Sequence, residues 1–539
     1  MAIEHDIRIR LETLNRIGVA LSADRDIGSL MERIVEAARQ FTLADGATFY
    51  RKSGDTLAFD LLRNVSLGLD KGGRGGEPID LPKILLHHAD GSPNHSLVVA
   101  HAALTGTTVN VEDAYTEPGF DFSGTRAFDL RTGYRSQSFL TVPMKDHADE
   151  VIGVLQLINA GGPDGQVRAF NDADQQLVES LASQAAIALN NHALIEQMAR
   201  LFESLISLIN TAIDEKSPYT GGHCERVPTL TMSLAEAAAR IESGPLADFC
   251  MSEADRYELK IAGLLHDCGK ITTPVHVVDK ATKLETLFDR IHLVDTRFEI
   301  LLRDAEIAHL KGELDLTGYQ QRVAALNSDR QTLRHSNTGG EFMSDAAVAE
   351  IERIAAQQWR AADGSMQPLL SSEETMNLSI RRGTLNAAER EVINNHIVMT
   401  IRMLEALPWP PHLRKVPEYA GGHHERMDGK GYPRRLTREQ MSIPARVMGI
   451  ADVFEALTAS DRPYKAAKTL SESIQILGRM KLDQHIDPDL FDVFLRERVY
   501  LDYARRFLDP RQIDHIDWRN VPGVDAELAE YLIASEAGS

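Results

Sequence analysis

The chain has 539 residues, 43% hydrophobic and 25% charged, a globular composition that excludes wholesale disorder and makes two or more domains the expectation. Its 58 Lys and Arg against 79 Asp and Glu leave a net charge of −21, so neither DNA, RNA nor an anionic membrane is expected as a partner. Three cysteines without CxxC spacing (Cys224, Cys250, Cys268) and no apolar run of spanning length point to a cytoplasmic protein with neither a disulfide framework nor a thiolate zinc site.

Residues 12 to 40 carry Leu14, Ile17, Leu21, Ile27, Leu30 and Ile34 near helical spacing and predict an amphipathic helix. Short apolar runs at Ala47 to Tyr50, Leu57 to Leu62, Ser138 to Pro143 and Val151 to Asn159 predict strands, and with them an α+β sensory-type domain over residues 1 to 171. From Asp172 to Lys216 there is no proline or glycine, and Leu181, Ala188, Ile195, Phe202 and Ile209 recur every seventh position, joined by Met198 and Leu205. These 45 residues predict one connecting helix roughly 65 Å long, whose apolar stripe needs a partner; a parallel homodimer seam is expected.

Beyond Pro218 the pattern is helical, with helices predicted over Val227 to Ile241, Ala254 to His266, Ala387 to Leu407, Arg446 to Ala459 and Ser471 to Met480. The expectation is an all-α domain over 217 to 510, followed by a tail at 511 to 539. Within it, residues 282 to 383 hold further helical stretches, Leu284 to Leu310 and Ala346 to Trp359, around a polar segment, Ser336 to Gly340. This part reads as a lid, an extension of the dimer contact or a solvated helical appendage.

The chemistry concentrates in the helical domain: His223, His266-Asp267, His396, His423-His424 and Asp452. Each is weak alone, since 19 histidines make one adjacent pair close to a chance event. Together, imidazole and carboxylate donors suit iron, manganese or similar divalent ions, and a carboxylate has two oxygens with which to bridge two of them; Asp267 is the expected bridge. Such a pair acidifies a water and clamps phosphate oxygens, so phosphodiester hydrolysis is the natural chemistry. Lys270, three residues past Asp267, is expected to meet a non-bridging phosphate oxygen. On a regular helix His423 and His424 would diverge by about 100°, one ligating a metal and the other meeting phosphate or a further ion.

The run His423-His424-Glu425-Arg426-Met427-Asp428-Gly429-Lys430-Gly431-Tyr432-Pro433 resembles the signature of the HD-GYP phosphodiesterases, a branch of the HD metal-dependent phosphohydrolases. Tyr219 to His223, His266 to Lys270, Ala388-Glu389-Arg390 before His396, Ala451 to Thr458 and Arg462-Pro463-Tyr464 extend the likeness over about 210 to 510. The resemblance implies hydrolysis of cyclic di-GMP, with His223, His266, Asp267 and Asp452 on a first metal and Asp267, His396 and His423 on a second. It further implies His424 as an accessory ligand, Lys270 on phosphate, and Tyr432 and Arg462 lining the nucleotide. Trimetal members have a Glu where this chain has Tyr219, so two ions, iron or manganese, are expected, with pGpG as main product. The rival expectations are a non-hydrolytic cyclic-dinucleotide receptor and a phosphohydrolase for 3′,3′-cyclic GMP-AMP. Asp267 and His396 are also roughly a hundred residues further apart than in the compact family pattern, which marks 282 to 383 as an insertion.

Residues 12 to 190 resemble a GAF domain in Phe128 to Ser136, Leu140 to Pro143 and Val151 to Asn159, a likeness that leaves this part either a small-ligand sensor that regulates the helical domain or a purely dimerising fold. Asn159, Phe170 and Asp174 are spaced as in cyclic-nucleotide-binding GAF domains and are the candidate ligand residues. The Lys and Glu of that motif are Ala160 and Gln175, so its Lys–Asp ion pair is not expected. The whole predicts an α+β GAF-like sensory domain, a long connecting helix and an all-α HD-GYP domain with a helical insertion.

Overall fold

The computed structural model describes residues 27–73, 76–162, 165–216, 222–340, 342–459 and 467–537. The chain divides into two compact units, Met1–Phe202 and Glu203–Ser539.

In the first unit, α1 (Ile27–Thr42) precedes β1 (Gly46–Ser53), β2 (Thr56–Asn64), β3 (Leu69–Gly72), β4 (Ile84–Leu85), α2 (Val98–Thr105), β5 (Val109–Val111), α3 (Ser123–Thr132), β6 (Phe139–Lys145) and β7 (Val151–Ile158). The seven strands form one sheet in the order β3-β2-β1-β7-β6-β5, with β4 paired to β2. All its named pairings are antiparallel, Phe49 facing Leu155 and Val142 facing Leu155 from the other side. The period of two sorts neighbours to opposite faces. Phe49 and Leu155 join Leu30, Ile34 and Val35 of α1 on one face, while Tyr50 and Val154 join Val99 and Ala103 of α2 on the other. The four predicted strands are thus present. The part of the predicted first helix before Ile27 lies outside the described residues.

A small pair of strands, β8 (Ala160–Gly161) and β9 (Val167–Arg168), leads into α4, Asp172–Lys216, the predicted 45-residue helix. Its first half is not a free seam: Val178, Leu181, Ala182, Ala185 and Leu189 are buried in the core of the first unit. The heptad pattern placed Leu181 in a partner contact, whereas it covers the chain's own sheet. Past Leu189, Leu194, Ile195, Met198, Leu201, Leu205 and Leu208 are exposed.

The second unit comprises α5 (His223–Ala238), α6 (Glu253–Leu265), the 3-10 turn Cys268–Thr272, α7 (Val275–Val278), α8 (Ile291–Leu310), α9 (Leu316–Asn337), α10 (Asp345–Ala355), β10 (Gln358–Arg360), β11 (Met366–Pro368), α11 (Ser372–Leu378), α12 (Ala387–Glu405), α13 (Val416–Gly421), α14 (Ile443–Thr458), α15 (Leu470–Leu482), α16 (Pro488–Arg496), α17 (Val499–Phe507) and α18 (Ala526–Ala537). Here α5 packs against α6, α14, α16 and α17, and α12 against the Cys268–Thr272 turn. Side-chain caps fix the helix starts: Ser252 for α6, Asn386 for α12 and Ser442 for α14.

Three sequence expectations change. The insertion is not purely helical, because β10 and β11 form an antiparallel hairpin where the helix was extended to Trp359. It holds a 22-residue helix, α9, that apolar periodicity missed: only Leu326, Asp329, Leu333, Ser336 and Asn337 are buried on it, and it is held by charge, with Arg330 and Arg334 on Asp295 and Arg353 on Asp329. The described part of the predicted tail, residues 511 to 537, packs onto the domain, since Trp518, Leu528 and Leu532 are each 1% exposed and Trp518 packs edge-on against Tyr500.

Asp487, fully buried, ties the start of α16 to α14 and the loop before it. Its carboxylate accepts from the backbone N–H of Asp489 and Leu490 and from Arg438 at 2.8 Å, and pairs with Arg446. Burial favours the neutral acid, but the Arg438 hydrogen bond, the Leu490 N–H and the Arg446 charge together hold its pKa below the usual Asp range. A group depressed in this way contributes stability that is present above its unfolded pKa and lost as pH falls through its folded pKa. Asp487→Asn is therefore expected to lower the unfolding free energy by about 3 kcal/mol at pH 7. In denaturant titrations the gap to wild type should close below about pH 4; a gap of constant size would show that the carboxylate charge is not the cause.

Candidate metal centre

Five elements of the second unit bring their polar side chains to one place. His223 opens α5, His266-Asp267 follow α6, His396 lies mid-way along α12, His423-His424 follow α13, and Asp452 lies on α14. His223, His266, Asp267, His396 and His423 are each no more than 6% exposed.

Two donor groups result. One gathers His223, His266, Asp267 and Asp452, and the other His396, His423 and His424; within each, the donor atoms lie within 4.8 Å of one another. Asp267 stands between them. Its Oδ2 is 3.1 Å from His223 Nε2 and 3.3 Å from His266 Nε2, while its Oδ1 is 3.3 Å from His396 Nε2. Asp452 Oδ1 completes the first group at 3.4 Å from His223 Nε2 and 3.9 Å from His266 Nε2.

The tautomers follow from the hydrogen bonds. A carbonyl only accepts, so a ring nitrogen bonded to one must donate, leaving a neutral imidazole's other nitrogen with its lone pair. Nδ1 of His266, His396 and His423 bonds the carbonyl of Gly263 at 2.7 Å, Ile393 at 2.5 Å and Ala420 at 2.6 Å. All three therefore turn an Nε2 lone pair inward. His223 instead sets its Nδ1 2.5 Å from Glu455 Oε2, and Glu455 is held in turn by Arg226.

The donor set fits a cation. The Nε2 atoms of His223 and His266 lie 3.2 Å apart, a distance that one shared proton spans. Among the described residues, Asp267 Oδ1 and His423 Nε2 are buried without a hydrogen-bond partner, a costly arrangement for polar atoms that have no further role. Electrostatics point the same way. Burial, aided by His266, pushes the His423 pKa down to about 4, and burial with His423 and His396 pushes His424 well below its usual value, so both rings are neutral donors. For Asp267 burial alone would favour the acid, yet the Lys270 charge and the His223 hydrogen bond hold it well below the carboxylate range. His223 differs: burial is outweighed by the Glu455 charge and the Asp267 bond, which push it up to about 9, so this ring holds a proton that it would release on ligating an ion.

The other candidate residues fall as follows. His423 and His424 both face the second group, against the expected divergence, because the chain has left α13 at Gly421 and they occupy a turn. The Lys270 ammonium bonds Asp267 Oδ2. The Tyr432 ring stacks on His424 with centroids 4.9 Å apart, on a loop pinned by buried Glu425, which accepts from the N–H groups of Arg434 and Leu436. In that loop a Cβ on Gly431 would lie 2.4 Å from Arg426 N, the close approach expected of its glycines. Arg462 and Tyr219 lie outside the described residues.

In the first unit the candidate ligand residues serve the fold. Asn159 accepts from the N–H of Gln137 and Ser138 and donates to Tyr134 and the Arg135 carbonyl; Phe170 is buried in the core; Asp174 accepts from Asn171 N, closing a cap at the start of α4. The ion pair judged impossible through Ala160 is made instead by Arg168 with Asp174.

Glu455 received no role from the sequence, although it lies one turn past Asp452 on the same helix face, a spacing that could have flagged it. Thr400 likewise lies one turn past His396 and accepts the Gly269 N–H at 2.9 Å.

Residues 26–189 match the family model of the GAF domain, and residues 220–328 and 370–490 match models of the HD domain. Among relatives, 3'3'-cGAMP-specific phosphodiesterase 1 of Vibrio cholerae is 44% identical over 79 residues, 15% of this chain and 18% of that protein. The 3'3'-cGAMP-specific phosphodiesterase 3 of the same organism is 24% identical over 320 residues, 59% of this chain and 42% of that protein. A cyclic di-GMP phosphodiesterase of Thermotoga maritima is 33% identical over 191 residues, 34% of this chain and 49% of that protein. The chain thus spans less than half the length of each of these relatives.

Because Glu455 orients His223, Glu455→Gln is expected to weaken Mn²⁺ binding about tenfold in calorimetric titration with little change in the thermal unfolding of the apo-protein. Unaltered affinity would remove Glu455 from the centre.

Proposed function

We propose that the chain is a metal-dependent phosphodiesterase that hydrolyses cyclic di-GMP, mainly to pGpG, at a two-ion centre loaded with iron or manganese. The observation that carries this reading is the Asp267 carboxylate, one oxygen of which faces His223 and His266 while the other faces His396. His223, His266, Asp267 and Asp452 would hold one ion, Asp267, His396 and His423 the other, and His424 would be accessory. Ions held there supply the Lewis acidity that lowers the pKa of a water and neutralises phosphoryl charge.

The chain's own groups do the rest. Lys270, a cation 20% exposed at the rim, would exchange its Asp267 contact for a non-bridging phosphate oxygen as charge develops. Tyr432, backed by the His424 ring, offers an aromatic face against which a base can stack. Arg462 is assigned to the nucleotide by its resemblance to the family motif alone. The relatives favour one second substrate, 3′,3′-cyclic GMP-AMP, because three of them, from Vibrio cholerae, are named as phosphodiesterases specific for it.

We extend the reading to a homodimer and to regulation by the GAF domain. The support is the run of exposed Leu194, Met198, Leu201, Leu205 and Leu208 along α4, spaced alternately four and three apart as a two-stranded coiled coil requires. Leu201→Glu with Leu205→Glu is expected to convert a dimer into a monomer in light scattering; an unchanged mass would exclude this seam.

The Mn²⁺-loaded or anaerobically Fe²⁺-loaded chain should convert cyclic di-GMP to pGpG on chromatography, and Asp267→Ala should lose at least about 10³-fold in rate. Preference for the mixed dinucleotide in a parallel incubation would move the assignment to the second substrate. No turnover of either by the metal-replete protein would leave a receptor.

A further inference from the structure

Lys216 is the last residue of α4, and its ammonium is committed to one place: it donates to the main-chain oxygen of Lys270 at 3.2 Å and to that of Ile271. Both carbonyls belong to the Cys268–Thr272 turn, which follows Asp267 directly and carries Lys270. The opposite side of this turn is held by α12. There the Gly269 N–H donates to Thr400, and a Cβ on Gly269 would lie 2.0 Å from the His396 carbonyl oxygen and 2.5 Å from Thr400 N, so no other side chain fits. The turn is thereby clamped between a helix bearing one ligand, His396, and the end of the helix that precedes another, His223.

The clamp is asymmetric. On the α12 side it is close backbone packing with one hydrogen bond from the Gly269 N–H to Thr400. On the α4 side it is a single flexible side chain making two charge-assisted bonds, which are stronger than neutral ones but can be broken by a displacement of the helix end. Any such displacement is felt at the Lys270 ammonium and the Asp267 carboxylate, and errors of about 1 Å in that kind of placement cost up to about 10²-fold in rate.

We infer that Lys216 is a positioning residue of the candidate centre, holding the Cys268–Thr272 turn, and through it Lys270 and Asp267, against the end of α4. The catalytic half of this inference rests on the proposed phosphodiesterase function; the structural half does not, and the two are tested separately. Hydrogen exchange on full-length, Mn²⁺-loaded Lys216→Met should show faster exchange of amides 268 to 272 while α6 keeps its protection. Steady-state kinetics with cyclic di-GMP should show kcat reduced about tenfold, KM changed less than twofold and metal content unaltered. Lys216→Arg, which keeps the cation, should recover most of both. Unchanged exchange in Lys216→Met overturns the tether. Faster exchange with unchanged kcat overturns the positioning role. A wild type that hydrolyses no cyclic dinucleotide defeats the proposed function, and the exchange data still decide the tether; equal loss in the Met and Arg variants would assign Lys216 to packing and overturn the inference.

Discussion

A buried carboxylate is the constraint around which the second unit is arranged. Asp267 is 2% exposed, and desolvating an ionised acid costs several kcal/mol unless positive charge and hydrogen-bond donors replace the lost water. The chain meets part of this cost with the Lys270 ammonium from the same turn and the His223 ring on one oxygen, while the His266 and His396 lone pairs that face the carboxylate leave room for a further positive charge. These groups come from α5, the end of α6, the following turn and α12, so the packing of those elements is fixed by a few ångströms at one atom pair. A cation between the two donor groups answers the same demand, and it also satisfies the buried Oδ1 of Asp267 that lacks a hydrogen bond.

The histidines are oriented by two different devices. His266, His396 and His423 each bond the carbonyl three residues earlier, a local arrangement available wherever a histidine follows or extends a helical turn. His223 is the first residue of α5 and takes its partner from α14, where Glu455 lies one turn beyond Asp452. One face of α14 thus supplies both a donor to the centre and the group that orients another donor. Arg226, one turn into α5, holds Glu455 from the far side and closes a loop of charge between the two helices. The helix pair is therefore bound to the centre's geometry as much as to its own apolar contacts.

Most of this was legible in the chain. Four strands of the first unit, the full span of α4, the main helices of the second unit and the seven clustered donors follow from period, punctuation and residue type, because each depends on local pattern or on a short motif. What escaped depends on long-range pairing. The Arg168–Asp174 pair replaces a lysine at another position, which spacing relative to Asn159 could not reveal. Helix α9 is fastened by Asp295 of α8 and by Arg353 of α10, and its own sequence is polar nearly all round. The shared direction of His423 and His424 depends on where α13 ends, a boundary that sequence places poorly. Leu181 has the spacing of a dimer seam and the burial of a core residue, since periodicity reports an apolar face without naming what covers it.

The segment read from the sequence as an insertion, 282 to 383, lies between two of the donors and packs largely on its own. Leu284, Phe298, Leu326, Leu333, Ile351, Ile354, Leu369 and Leu378 form a separate core, so the inserted part does not draw on the packing around Asp267. Its ends are pinned together: Lys280, 2% exposed, bonds both oxygens of Glu389 at 2.6 and 2.8 Å, and its carbonyl accepts from Thr384 at 2.9 Å. Glu389 is also the capping partner of Asn386 at the start of α12, the helix that carries His396. The same carboxylate thus closes the insertion and starts the helix that must reach Asp267. Loop-closure entropy rises only slowly with length, so once these ends are fixed the distance along the chain from Asp267 to His396 matters little, and the distance in space is set by Lys280, Glu389 and the contact of Gly269 with α12.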